Sequence, residues 1–577
     1  MIRVKFLGKH KRVRDMLAIL AMFVCASICL GMPDIKGESV SQDDKKTIDH
    51  YKKLAEQGNA WAQYNLAGMY AKGEGVKQNY KEAFNWCKKS ADQGHAIAQN
   101  NLGTMYRNGK GVKQDYKEAF NWYKKSAEQG FAPAQCNLGM MYLNGLGVKQ
   151  DYKEAINLFK KSAEQGDALA QCNLGMMYLN GLGVKQDYKE AINLFKKTAE
   201  QGLALAQNNL GGMYLSGLGV KQDYKEAINL FKKSAEQGDA LAQYNLGGMY
   251  RNGKGVKQDY KEAFNWYKKS ADQGHAIAQN NLGVMYRDGK GVKQDYKEAF
   301  NLFKKAAEQR LALAQNNLAE MYLNGQGIKQ DYKEAFNLFK KTAEQGFAQA
   351  QFVLGVMYAN GYGVKQDYKE AFNWYKKSAE QGNADAQNNL GAMYAKGYGV
   401  KQDYKEAFNW YKKSAEQGFA PAQNNLGLMY AKGEGVKQDY KEAFNWCKKS
   451  AEQGFAQAQC NLGWIYRDGK GVKQDYKEAF NWYKKSAEQG LALAQYNLGG
   501  MYDNGYGVKQ DYKEAFNWYK KSAEQGFAPA QYNLGVMYRD GKGVKQNYKE
   551  ATYWLEKAVK QGHSDAKTAL TKILESK

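Results

Sequence analysis

From Ala55 to Ala558 the pattern of apolar and polar positions repeats every 36 residues, fourteen times, without insertion or deletion. A period of this length is the mark of a solenoid. In the first copy, Ala55–Ser90, the apolar residues fall into two helical blocks. In the later block Tyr80, Ala83, Phe84, Cys87 and Ala91 recur at steps of three and four and define one apolar face. Trp86 widens that face, as suits a helix with neighbours on two sides. Asn79, which is Asp in most copies (Asp115, Asp151), stands three residues before Glu82. That is the spacing of a capping box, in which the short side chain accepts a backbone N–H and the Glu reaches back to the cap. Gly94 follows the last turn, where a left-handed cap costs glycine least.

The earlier block runs from about Ala60 to Ala71. At 100° per residue Ala62, Leu66, Met69 and Tyr70 share one arc, with Ala60 and Ala67 as a small strip beside it. Most copies have glycine at the Ala67 position (Gly103, Gly139), although glycine inside a helix costs about 1 kcal/mol. Ala67 and Ala319 show that alanine is accepted, so the expected reason is close helix approach. Gly73 and Gly75 end this helix. Pro133, Pro421 and Pro529 fall in its first turn, where proline is tolerated. Each copy is thus two antiparallel helices of about 12 residues, each about 18 Å long. One such hairpin cannot bury its apolar surface alone, and a stack can.

The text AEQGxAxAQxNLGxMY followed by GxGVKQDYKEAxxWYKKSA runs through the copies and covers about nine tenths of the chain. It resembles the Sel1-like repeat, a relative of the tetratricopeptide repeat. The resemblance implies an all-α, right-handed superhelix of helix pairs that serves as a protein-binding scaffold, often in bacterial envelopes or host-directed secretion.

The ends differ from the array. Residues 1–15 are basic and Met16–Met32 is apolar and uncharged, the layout of a signal peptide. The apolar run is about 17 residues, at the lower edge of a bilayer span, so a retained anchor is the competing reading. The expected organisation is a leader over 1–32, a linker and capping half-repeat over 33–54, the repeats over 55–558 and a polar capping helix over 559–577. The product is expected to be exported, either periplasmic or secreted.

Net charge is +25. A surplus of one lysine per copy accounts for roughly half of it and reads first as a solvated surface. Attraction to an anionic membrane, glycan or nucleic acid is the sharper reading. The seven cysteines are not regularly paired. Cys447 and Cys460 lie on consecutive helices and could meet in an oxidising compartment. No metal-ligand spacing occurs.

Differences between copies carry the most information. In the first helix they fall at the positions of Trp61, Tyr64, Gly68, Ala71 and Lys72, within about 100° of arc and away from the core. Stacking turns this stripe into a ribbon, which the family resemblance places on the concave, ligand-binding side. In copies three to five the ribbon is apolar: Met140, Leu143, Met176, Leu179 and Leu215, joined by Leu146, Leu182 and Leu218 of the glycine loops. Elsewhere it is basic, as at Arg107, Arg251 and Arg287. An exposed apolar patch marks a contact site, so these residues are the candidate partner-binding set. The alternative is that the leucines pack under their own loops.

No catalytic constellation is visible, and nothing calls for a cofactor. His95 and His275 share a repeat position five copies apart, and the recurrent GxG lacks phosphate-loop spacing. Ser564-Asp565-Ala566-Lys567 has the S-x-x-K spacing of penicillin-recognising enzymes, without the S-D-N or K-T-G partners. The favoured reading is a non-catalytic exported scaffold for protein or peptide ligands. A protein that binds cell-wall glycan or β-lactams, or a weak β-lactamase-like enzyme, is the alternative. Nucleic acid is not expected as a partner, and a membrane only if the leader is retained.

Overall fold

The computed structural model describes residues 42–575, so the expectations for the leader and most of the linker lie outside the described residues. These residues form thirty helices and no strand, an all-α solenoid of helix pairs. No described helix is long and apolar enough to cross a membrane. The chain falls into two compact units, divided between Asp295 and Tyr296. The first begins with a capping helix, Gln42–Glu56, whose Ile48 and Ala55 are buried against Ala62 and Leu66 of copy one. The second ends with Ser564–Glu575, whose Ala566, Ala569 and Ile573 pack on Leu555.

Within every copy the two helices have the predicted limits to a residue or two, as in Ala60–Lys72 and Tyr80–Asp92. The first ends on a left-handed glycine (Gly73, φ 83°). The second helix is capped by one half of the expected box. Asp115 Oδ1 accepts from Lys117 N and Glu118 N at 2.9 and 3.1 Å. The other half is replaced: the Asp115 N–H donates to the Tyr106 carbonyl of the preceding helix at 2.9 Å. A partner from the facing helix satisfies the cap, so Glu118 is not needed there, and the two helices are tied at their turn.

Helix contact explains the small residue. A Cβ on Gly139 would lie 2.8 Å from Phe159 Cε1, so glycine lets the ring of the second helix rest on the backbone of the first. The N-terminal tyrosine of the second helix is not core, contrary to the periodicity. Tyr116 is 36 % exposed. The next copy's loop supplies a cover at this position: Lys110 Nζ lies 5.1 Å from the Tyr80 ring, and Tyr362 stacks on Tyr332 at 5.0 Å. Near the other end of the Tyr80 helix a polar residue, Ser90, is fully buried.

That serine belongs to a polar seam between helix pairs. Ser126 Oγ donates to Ala96 O at 2.7 Å. Beside it, Gln129 Nε2 donates to Gln99 Oε1 at 2.7 Å, and Gln99 Nε2 to Ala91 O at 3.1 Å. The same set recurs 30 residues apart in both units, as at Ser162 and Ser486. Each such bond is worth about 1 kcal/mol net, but leaving one buried partner unmade costs more.

Two copies break the seam in the same way. Thr198 turns its hydroxyl back to Leu194 O in its own helix at 2.8 Å, and Gln171 Oε1 is left buried without a partner. Thr342 donates its hydroxyl to Asn316 Oδ1 at 2.6 Å, with Leu338 O of its own helix at 3.3 Å, and Gln315 Oε1 is likewise unpartnered. The β-branched side chain favours the bond to its own preceding turn. Replacing Thr198 by serine is therefore expected to stabilise this junction by about 1–2 kcal/mol. The readout is slower amide exchange in Ala168–Asn180, with no change in copies that already carry serine.

Candidate binding groove on the first helices

A cavity of about 300 Å³ opens on the first-helix side of copies one to four. Tyr64, Gly68 and Ala71 line it from copy one, Asn100, Thr104 and Arg107 from copy two, and Pro133 and Cys136 from copy three. All eight stand at positions that vary between copies. In copies one to three the variable stripe thus forms part of the wall of this groove.

The groove also contains a feature that the variable positions do not reveal. An asparagine follows the Tyr64 position in nearly every copy, and in the stack it reaches back one copy. Asn137 Nδ2 donates to Asn100 Oδ1 at 2.9 Å, and Asn245 Nδ2 to Asn208 Oδ1 at 3.0 Å. Between them Asn173 and Asn209 reach the thiols of Cys136 and Cys172 at 3.8 and 3.9 Å. In the second unit Asn425 and Asn461 reach Asn388 and Asn424. The result, within each unit, is a ladder of amides along the first helices. Its only sequence signal is the near-constancy of an asparagine beside a variable position.

The candidate contact residues are less exposed than expected. Met140 and Met176 are buried, at 6 % and 7 % exposure, within the clusters around Ile156 and Ile192. Neighbouring copies close over them, which a single helix wheel cannot show. Leu143 and Leu182 are half-buried against the Met140 cluster, Leu179 and Leu218 against the Met176 cluster, Leu146 beside Tyr142, and Leu215 beside Tyr214. They contribute to the core and also reach the surface. The arginines are anchored: Arg107 donates to Asn108 Oδ1 at 3.2 Å, Arg251 to the Tyr267 hydroxyl, and Arg287 pairs with Asp288 at 2.9 Å.

The histidines have a structural role that the sequence did not disclose. His95 and His275 are N-caps, each accepting through Nδ1 from the backbone N–H three residues on (Ala98, Ala278) at 3.2 Å. Their rings lie 5.3 and 5.1 Å from Tyr64 and Tyr244. Burial pushes His275 down to about 4. The five described cysteines are buried free thiols, so Cys447 and Cys460 are not bridged. Burial pushes the Cys447 thiol up to about 12, which keeps it protonated and inert. No cluster that could hold a metal occurs among the described residues. Ser564 and Lys567 are both exposed, and the Ser564 hydroxyl contacts Asp565 at 3.5 Å.

With this geometry the family is decided by the repeat itself. The model described as Sel1 repeat matches residues 30–59, 62–95 and then thirteen successive 36-residue segments from 96–131 to 528–563. The chain belongs to the Sel1 repeat family. Among solved structures, this Sel1 protein is similar to c5321, described as a protective antigen present in uropathogenic Escherichia coli strains displaying an SLR fold. Identity is 39 %, over 79 % of this chain and 97 % of c5321, with a TM-score of 0.66. A Sel1 repeat protein from Oxalobacter formigenes is 34 % identical over 54 % of this chain and 89 % of its own, with a TM-score of 0.43. No curated protein matches the chain. Sel1 solenoids in general mediate protein–protein interaction and are non-catalytic scaffolds.

Proposed function

We propose that this Sel1 protein is an exported, non-catalytic adaptor that holds a protein or peptide along its first-helix face. The observation that carries this reading is the coincidence of the copy-variable stripe with the groove wall. Side chains at fixed backbone positions that differ from copy to copy, lining one surface, are what a scaffold needs to read an extended partner. The half-buried leucines of copies three to five and Arg107, Arg251 and Arg287 are its partner-contacting residues. The basic and apolar leader over residues 1–32 supports export to the periplasm or beyond. So does the description of c5321 as a protective antigen, since antibodies reach exported proteins most readily.

The test is capture from envelope and secreted fractions with the full array as bait, beside a bait carrying Leu143→Gln, Leu179→Gln and Leu215→Gln. Helicity by circular dichroism should match between the two. The expected result is one distinct protein retained by the first bait and reduced by about tenfold on the second, the loss expected for a contact worth about 1.4 kcal/mol. Equal retention removes the leucines from the site. Sedimentation with cell-wall sacculi and no retained protein would favour the glycan-binding alternative.

A further inference from the structure

Copy one departs from the other copies within this groove. In copy two the ring of Tyr123 lies across bare Gly103 and ends with its hydroxyl 3.0 Å from Thr104 Oγ1. In copy three Phe159 and Met140 fill the same space. In copy one the three corresponding positions are Cys87, Ala67 and Gly68, and no ring is present. Copy eleven repeats the cysteine, as Cys447, but has Leu428 where copy one has Gly68. The combination of a missing ring and a missing neighbour therefore occurs in copy one alone, and its space is part of the 300 Å³ cavity.

The chemistry of the walls is mixed in an ordered way. The floor is apolar: Ala67, Gly68, Ala83 and Cys87. The Cys87 thiol donates to Ala98 O at 3.3 Å, and burial, which pushes it up to about 12, keeps it neutral. One wall is amide and hydroxyl, from Asn100, Asn101 and Thr104. The lip carries Arg107 and Lys110. Its one carboxylate, Asp167, is committed as a helix cap to Ala170 N at 2.6 Å.

We propose that this cavity is an anchor site for one aromatic side chain of a partner segment whose flanking residues are acidic. The guest ring takes the place that Tyr123 fills one copy later, and the acidic flanks meet Arg107 and Lys110. The proposal rests on the scaffold reading and adds to it a location and a partner chemistry.

The probe is a pentapeptide, Asp-Asp-(4-fluorophenylalanine)-Asp-Asp, titrated into the full chain and followed by ¹⁹F line width. A lysine-flanked version is the control. The blocking variant is Ala67→Gly with Cys87→Tyr, which restores the pair found in copy two and so is compatible with the fold. Saturable broadening by the acidic peptide is expected, weakened about tenfold or more by the blocking pair, by Arg107→Glu with Lys110→Glu, and by lysine flanks. Undiminished binding in the blocked protein overturns the proposal. So does equal binding of the lysine-flanked peptide, or no broadening by the acidic peptide at about 1 mM, the weak limit of useful affinity. Partner capture by the other copies survives any of these results, so failure here is separable from failure of the scaffold reading.

Discussion

Replacing Gly147 by alanine is expected to destabilise the junction of copies two and three by about 3–5 kcal/mol, among the largest effects a single methyl can have. Two causes add. The residue sits at φ 70°, in the left-handed region, where a side chain costs about 1–2 kcal/mol. In addition the new Cβ would fall inside the Tyr116 carbonyl oxygen. The glycine loop lies directly on the first turn of the preceding copy's second helix, and any side chain lifts it away. Gly130 is the control. It has φ 84°, but a Cβ there meets nothing within 4 Å, so Gly130→Ala should cost only the conformational term. The chain contains that control already: Arg310 occupies the equivalent position in copy eight at φ 63°. Solenoids lose cooperativity along their length, so amide exchange in the two flanking copies is the measurement. If Gly147→Ala and Gly130→Ala shift exchange equally, the loop contact is not what requires glycine.

The second large effect is a loss of stability in acid centred on His275. Its Nδ1 must stay unprotonated to accept the Ala278 N–H, and its buried Nε2 has no partner to stabilise a cation. The folded-state value of about 4 lies below the ordinary 6.5, so the folded state binds fewer protons than the unfolded one. The stabilisation is therefore complete above about pH 6.5 and is lost as pH falls towards 4, up to about 3 kcal/mol at the acid end. Asn383 caps the matching helix of copy ten through Ala386 N at 2.8 Å without titrating. His275→Asn should accordingly keep the cap and flatten this part of the pH profile. Imidazole NMR is the direct check. A His275 ring that titrates near 6.5 contradicts the burial, and a variant with an unchanged acid profile assigns the loss to other groups. Asp239, which burial pushes upward, works in the opposite direction and is common to both proteins.

Most of the fold was legible because it is local. Steps of three and four, a capping Asp, and paired glycines fix each helix without reference to its neighbour, and the need for a small residue at Gly139 followed from helix approach alone. What could not be read depends on the adjacent copy. Met140 looks exposed on its own helix and is buried only when the next copy closes over it. Tyr116 looks buried by period and is held at the edge by the loop that follows. The cap's backbone N–H goes to a carbonyl on another helix, so the predicted Glu118 contact is replaced by one that spacing does not encode. The groove was half legible. Its variable wall showed in the comparison of copies, whereas the asparagine ladder, being nearly constant, resembled any solvated polar position.

The seam of Ser126, Gln129 and Gln99 has one further consequence. Because it joins residues 30 apart in the same way at junction after junction, each such junction accepts any copy that carries the same serine and glutamines. Unequal crossing-over within the gene would remove or add whole 36-residue blocks, and new neighbours that carry the serine and both glutamines would meet with the seam's donors and acceptors matched, unlike the junctions at Thr198 and Thr342. The near-identity of copies three and four is the trace such an event leaves. Array length can therefore change by whole blocks between strains without a new interface having to evolve, while the side chains along the groove are reshuffled at each exchange.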